Sequence, residues 1–316
     1  MAVFGLVDVG GTKTMTGIWR DGAMVAVEKQ PTAIGGGGDG TVAVVAASIK
    51  RLLRERHLDV GELVGIGVAV PGPLDLDRGL VRYAANLGWV DYPFIERLSQ
   101  AFPGVAIAMD DDSRCAAWGE ALHGAGQEFP IVWYTTVSTG IGSGLIIEGK
   151  PYRGAQLMAG ELGHITIDLA GPVCACGKRG CLETLASGPA MARHFYEMRG
   201  LTGIPLSAEN VFRALRTGDG EARAVVSRAM QYLAMALSYV VHLVNPDILV
   251  LGGGIVVHQG DLLLPMLRRE MRGHILSVQD THLLLRPAQL GEQAGLWGAY
   301  ELIASHVQGR GISDRP

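Results

Sequence analysis

The sequence predicts an α/β protein of two related domains facing each other across a cleft. Two observations carry this reading. Strand, glycine-rich turn and strand open the chain at residues 3–20, and the same device restarts with strand 131–137, a glycine turn and strand 144–147. After each hairpin, helical spacings alternate with short apolar runs, the pattern of βα crossovers. A length of 316 residues suits two domains or one large one, and 48% hydrophobic against 18% charged residues describes a globular chain.

In chain order, residues 3–9 read as a strand ending in Gly10-Gly11, and Thr14 to Arg20 as its partner, closed by a hairpin turn at Asp21-Gly22. Residues 23–31 extend the meander, and Ile34-Gly-Gly-Gly-Gly38 is a flexible loop. Residues 40–56 carry helical spacing at Val42, Val45, Ile49 and Leu52. A buried strand at 63–70 stops at Pro71-Gly72-Pro73. Strand 105–109 runs into Asp110-Asp111-Asp112, and a helix follows at 113–123. After a turn at Glu148-Gly149, helices occupy 208–216 and 221–244, strand 248–251 ends in Gly252-Gly-Gly254, and helix 294–307 closes the chain before a frayed tail at 309–316. The expected domains are 1–118, rejoined by a C-terminal helix at about 300–316, and 119–299 with a metal-binding loop. Substrate is expected to close the cleft.

The net charge of -4, with no Lys/Arg block, argues against nucleic acid as a partner. No basic leader precedes an apolar segment, and every long apolar stretch is broken by Gly, Pro or charge, so no membrane partner is expected. Three of the four Cys sit together at 174, 176 and 181, a metal-site spacing that fits the reducing cytoplasm.

Five motifs carry chemistry. In Asp8-Val-Gly-Gly-Thr-Lys13, a two-glycine turn exposes N–H groups that can cradle phosphate, and Asp8 can hold a hydrated Mg²⁺. Ser138-Thr-Gly-Ile-Gly-Ser-Gly144 repeats the device. Each loop alone could be a plain hairpin, but a triphosphate held from both sides needs two. Asp110-Asp111-Asp112 can supply a base for a sugar hydroxyl, or an N-cap for the following helix, or both. His164, Cys174, Cys176 and Cys181 make a closed tetrahedral Zn²⁺ set with no open position, which reads as structural. The lone Cys115 reads as a small core residue. Glu183 could touch a sugar or simply be a surface acid. Gly252, Gly253 and Gly254 let a flat adenine ring lie against backbone.

In this order the motifs resemble the ROK family, from Asp8 to about Ala299. The most specific element is Glu161-x-Gly-His164 followed by Cys174-x-Cys176-Gly-x-x-Gly-Cys181-x-Glu183. The resemblance implies the actin/hexokinase-like (ribonuclease H-like) two-domain ATPase fold and an ATP-dependent sugar kinase using Mg²⁺ and a structural Zn²⁺. ATP and Mg²⁺ would be held at Asp8, Gly10, Gly11, Thr12, Lys13, Ser138, Thr139, Gly140 and Gly252–Gly254. The sugar would meet Gly72, Asp111, Asp112, Glu161, His164 and Glu183, with Asp112 as general base. The seven-residue spacing from Asp112 to Gly119 puts it on the family's catalytic Asp, whereas Asp111 stands where the family carries Asn. An amide donates and accepts hydrogen bonds and a carboxylate only accepts, so the usual sugar preference need not transfer.

Glucose, phosphorylated to glucose 6-phosphate, fits best. N-acetylmannosamine or another hexose or N-acetylhexosamine is the alternative, and a non-catalytic sugar-binding ROK protein the rival from another class. A repressor is not expected, with seven residues before Asp8, and a polyphosphate donor would call for more cationic surface. The resemblance also implies a homodimer or homotetramer.

Overall fold

The computed structural model describes residues 2–202 and 207–309. The chain divides into two compact units, residues 1–123, 153–158 and 293–316, and residues 124–152 and 159–292. A division at 118/119 would cut a helix whose hydrogen-bond ladder runs on to His123. The rejoining segment begins at 293, ahead of the helix Ala294–Val307, rather than near 300. Of the expected tail, 310–316 lie outside the described residues.

The first unit is built on a five-stranded sheet. β1 (Val3–Val9), β2 (Lys13–Arg20) and β3 (Ala23–Pro31) form an antiparallel meander. Its second turn has Asp21 at φ 51° and Gly22 at φ 86°, the left-handed pair that matches the twist of a two-residue hairpin. Helix α1 (Gly37–Glu55) buries Val42, Val45, Ile49 and Leu52 against this sheet and leads to β4 (Leu63–Val70), parallel to β1. Each such side chain contributes roughly 1.5–3 kcal/mol by leaving water. A small sheet of β5 (Leu74–Asp75), β6 (Leu80–Ala84) and β7 (Trp89–Tyr92) and helix α2 (Phe94–Ala101) follow. Then β8 (Ala106–Asp111) pairs parallel with β4 and passes directly into α3 (Asp112–His123). The order is β3-β2-β1-β4-β8. The closing helix Ala294–Val307 packs on β4 and α3 at backbone distance: a Cβ on Gly67 would lie 1.9 Å from the Ala299 carbonyl oxygen, and one on Gly298 would lie 1.8 Å from that of Cys115.

The second unit repeats the plan. β9 (Ile131–Val137), β10 (Ile141–Ile147) and β11 (Lys150–Pro151) form the meander, with Glu148 and Gly149 at φ 49° and 73° in its second turn. Strand β10 begins at Ile141 rather than at 144, so the loop shrinks to Ser138–Gly140. Gly142 and Gly144 lie in register with Thr136 and Tyr134. After α4 (Leu182–Ala186), α5 (Gly188–Met198), α6 (Ala208–Arg216) and α7 (Gly220–Leu243), β12 (Ile248–Gly252) joins β9 in parallel. Helices α8 (Gly254–Met271) and α9 (Ser277–His282) precede β13 (Leu284–Pro287). The order β11-β10-β9-β12-β13 matches that of the first sheet strand for strand. Helix α7 is long and apolar enough to cross a membrane, yet 61% of its most apolar window is buried, including Val225, Met230, Leu233 and Leu237, which makes it a core helix.

Candidate active site

In the first unit, register places Asp8, Ala69 and Asp110 side by side at the carboxyl ends of β1, β4 and β8. The β1–β2 turn is closed by a hydrogen bond from Gly10 N to Lys13 O (2.9 Å) and braced by Thr32, whose hydroxyl donates to Gly10 O (2.7 Å). A side chain at Gly11 would press on Asn86, 3.1 Å away. The turn thus stays narrow, with Thr12 exposed at its tip. The half-buried Asp8 carboxylate faces the first turn of the closing helix, where a Cβ on Gly295 would come within 2.4 Å of Oδ2. Gly72, at φ 104°, contributes backbone only: a Cβ there would lie 2.0 Å from the Tyr83 carbonyl oxygen.

The three consecutive aspartates have three different surroundings. Asp110 is 1% exposed and fully engaged. Its Oδ1 accepts from the Asp111 N–H (2.8 Å) and from Arg114 Nη1, and its Oδ2 from Arg153 Nε (2.9 Å) and Nη2 (2.7 Å). Asp111 is the N-cap of α3: its Oδ1 accepts from the Arg114 N–H at 3.0 Å. Asp112 is the first helical residue, and its carboxylate takes the Ser113 hydroxyl, at 3.1 Å, and the Ser113 N–H. The capping and base readings of this tripeptide therefore fall on different residues, with the cap at Asp111. Asp111→Asn keeps a capping oxygen and should leave the melting temperature unchanged or raise it, whereas Asp111→Ala should lose about 1 kcal/mol. Thermal unfolding of both variants checks this.

Charge crowding shows in the protonation of these groups. Burial, with the Asp112 charge adding and Lys13 opposing, pushes Asp8 from 3.8 up to about 7. Burial, then the charge of Asp112, holds Asp111 well above the usual carboxylate range, and burial also raises Asp112. An acid with a higher pKa folded than unfolded favours folding while protonated. That contribution is complete below the unfolded value and is lost as pH rises through the folded one. For Asp8 the window runs from 3.8 to about 7. Asp112→Asn removes one of the repelling charges, so the ligand-free variant should melt higher than the parent at pH 8, with the advantage shrinking towards pH 4. A lower melting temperature at pH 8 would contradict this.

In the second unit, Ser138–Gly140 is a tight turn closed by Ser138 N to Gly140 O (2.9 Å). The N-termini of α5 and α8 converge on it. Gly188 N donates to Ser138 O at 2.9 Å, and a Cβ on Gly254 would lie 3.5 Å from Ser138 Oγ. Gly253 sits at φ 86°, where a Cβ would meet Val137 O and Thr136 Oγ1 at 2.5 Å. A turn and two helix starts therefore meet at Ser138; the N–H groups of Ser138 and Gly188 are donated within the protein, and the start of α8 is an end suited to phosphate oxygens. Glu183 is half-buried rather than a free surface acid, since its Oε2 accepts from the Ile141 N–H at 2.9 Å and ties α4 to this turn. A groove of about 650 Å³ between α8 and residues 287–291 contains none of the residues singled out from the sequence.

Glu161 starts a short 3-10 turn, Leu162–His164, that rests on β10, where a Cβ on Gly163 would lie 2.0 Å from Ile141 O. The turn aims His164 at the cysteines. The ligand atoms of His164, Cys174, Cys176 and Cys181 all lie within 4.8 Å of one another. His164 Nδ1 is 3.6 Å from Cys174 Sγ, and the sulfurs of Cys176 and Cys181 are 3.6 Å apart. Tetrahedral Zn²⁺ with bonds of about 2.3 Å to sulfur separates its ligand atoms by about 3.7 Å, so the set fits zinc. Burial pushes Cys181 up to about 12 and raises Cys174, while backbone N–H donation at Lys178 lowers Cys176. A divalent cation would release these crowded protons. Because Nδ1 faces the sulfurs, Nε2 of His164 is left on the other side of the ring.

Sequence reasoning missed Arg114 and Arg153 around Asp110, the Gly188 start of α5, and Gly295 against Asp8. The Gly295-x-x-Gly298 spacing in the closing helix was the available signal for the last; Arg153 lies 43 residues from Asp110 and left none.

Residues 4–306 match the ROK family. The chain belongs to the ROK family. It is 34% identical over 313 residues to a glucokinase of Halalkalibacterium halodurans, covering 94% of this chain and 93% of that one. Among solved structures, a ROK hexokinase from Thermus thermophilus superposes with a TM-score of 0.80 at 33% identity, over 96% of this chain and 99% of the other. A ROK glucokinase from Streptomyces griseus, solved with glucose and AMPPNP, gives 0.82 at 29%, over 95% and 99%. The doubled sheet plan is thus the actin/hexokinase-like fold of the ROK proteins.

Proposed function

We propose that this ROK protein is an ATP-dependent hexose kinase, with glucose as the first substrate to test and glucose 6-phosphate as the product. One observation supports the catalytic assignment above the others: of three adjacent carboxylates, Asp110 has both oxygens on two arginines and Asp111 gives one oxygen to the helix cap, whereas Asp112, where β8 becomes α3, bonds only its neighbour Ser113 and can act as base. The oxygen of the sugar hydroxyl attacks the γ-phosphorus and forms the new O–P bond as Asp112 accepts the hydroxyl proton. The bond to the β–γ bridging oxygen breaks and ADP departs. The turns Gly10–Lys13 and Ser138–Gly140 offer N–H groups to the phosphates, and Gly252–Gly254 offer a flat backbone to the adenosine. Asp8, whose carboxyl is raised first by burial and then by the Asp112 charge, fits a cation, and Mg²⁺ bound there would offset phosphate charge.

Gly72, Asp111 and Asp112 are the proposed sugar contacts of the first unit, and Glu161, His164 and Glu183 those of the second. Zn²⁺ on His164, Cys174, Cys176 and Cys181 would hold the 164–181 loop in shape. A cytoplasmic location and a homodimeric or homotetrameric state belong to the same proposal, the latter to be read by light scattering. Coupled ADP release across glucose, mannose, fructose, allose, N-acetylglucosamine and N-acetylmannosamine tests the reading. Sugar-dependent ADP release, strongest with glucose, is expected. Release with no sugar of the panel would refute the kinase assignment.

A further inference from the structure

We propose that Asp110, Arg114 and Arg153 act together as a clamp that positions the catalytic Asp112 by fixing residues 153–158 to the start of α3. The cluster is almost closed to water, with Asp110 1% exposed and the Arg114 and Arg153 side chains 4% and 15%. Two guanidinium groups serve one carboxylate and use both of its oxygens. Buried ion clusters of this kind are poor stabilisers compared with apolar side chains of similar volume, so their worth lies in the geometry they impose. Asp110 and Arg114 stand two residues to either side of Asp112, at the point where strand becomes helix. Their bond therefore spans the residue that has to aim.

The second half of the clamp is the returning segment. After β11 the chain rejoins the first unit for six residues only, Arg153–Met158. It is held at both ends, by Arg153 on Asp110 and by Arg114 Nη2 donating to the Leu157 carbonyl at 2.8 Å. Leu157 stands at φ 60°, a left-handed conformation that a branched side chain adopts only when its surroundings impose it. Arg114 Nε, buried and without a partner, is a further cost borne by the same group. A strained residue and an unsatisfied nitrogen at one guanidinium indicate selection for placement over stability. Arg153 lies over the Trp118 ring at 5.9 Å, and its bonds reach Asp110, not Asp111 or Asp112, which makes it a positioning residue.

The rate readout rests on the kinase reading, and hydrogen exchange does not. Arg153→Ala should lower kcat about 10- to 100-fold through misplacement of the base, while KM for sugar and ATP stays within about threefold. Arg153→Lys keeps the charge but offers Oδ2 one nitrogen in place of the Nε and Nη2 pair, and should recover part of the loss. In Arg153→Ala, amides of 154–158 and of 111–114 should lose exchange protection together. Turnover within about twofold of the parent with 111–114 still protected, or a rise in KM at unchanged kcat, would overturn the clamp. If Arg153→Ala does not fold, the same kcat-against-KM split in Arg153→Lys decides. A parent protein that phosphorylates no sugar would sink the kinase reading and leave the exchange data to judge the clamp.

Discussion

Asp112→Asn should reduce turnover by about 10²–10⁴, the usual cost of losing a general base, equivalent to roughly 3–5 kcal/mol of barrier. The amide keeps the volume of the carboxylate and can still take the Ser113 hydroxyl, so the start of α3 should not change. Sugar affinity should fall far less than the rate, because the other proposed hydroxyl contacts remain. Steady-state kinetics together with a calorimetric sugar titration separates the two effects. A variant that loses binding and turnover in equal proportion would show that Asp112 is a ligand and not a base.

Loss of the proposed metal should be nearly as damaging, by another route. Structural zinc in small domains is bound with ~10–16 kcal/mol, all of it coupled to folding. Here the ligands close one loop of a unit whose core is made elsewhere, by α7 and the sheet beneath it. Cys176→Ser should therefore lose stoichiometric zinc and most activity, while the far-ultraviolet circular dichroism changes little. Between His164 and Cys181 the backbone forms only isolated bridges, Val173 with Arg179 and Thr166 with Cys181, and little regular structure would be lost. Metal analysis of the purified variant checks the first half and the coupled assay the second. Fully active protein free of zinc would remove the metal from the account.

The two predictions draw on different depths of sequence information. The His/Cys cluster was legible because its members are local: four residues of uncommon type within 18 positions, in a chain with four cysteines. The duplicated plan was legible because its hairpins carry turn residues with a mechanism, Asp21-Gly22 and Glu148-Gly149, both in the left-handed conformation. Strand β10 was misjudged at its start because Gly142 and Gly144 read as loop, although pairing with the buried β9 makes them strand. The small sheet β5–β7 has strands of two to five residues, too short for a period to show. Helix α8 was hidden behind Gly252–Gly254 and holds Pro265 inside it, both of which read as breakers.

Within the site, residue types identified the three aspartates, and it was the resemblance, through the seven-residue spacing to Gly119, that singled out Asp112 as base. In the folded chain the division of roles rests on one partner far along the chain and one in the next turn of helix. Arg153 takes Asp110 out of play, and the backbone of Arg114, fixed by the helix, takes Asp111. Glu183 shows the same limit. Its spacing from Cys181 left a sugar contact and a surface acid both open, and only the folded chain brings it to the Ile141 N–H, 42 residues away. Asp111, where the family pattern carries Asn, is the position from which a change of sugar preference is to be expected, because restoring an amide restores a donor.

The most direct test of the account is sugar-dependent ADP release by the parent protein, Asp111→Asn and Asp112→Asn, measured side by side at saturating ATP and sugar. The account predicts that Asp111→Asn keeps turnover close to the parent, with any change falling on sugar preference, and that Asp112→Asn alone is nearly inactive. The reverse ranking, with Asp111→Asn inactive and Asp112→Asn within a few-fold of the parent, would contradict it and move the base one residue back along β8.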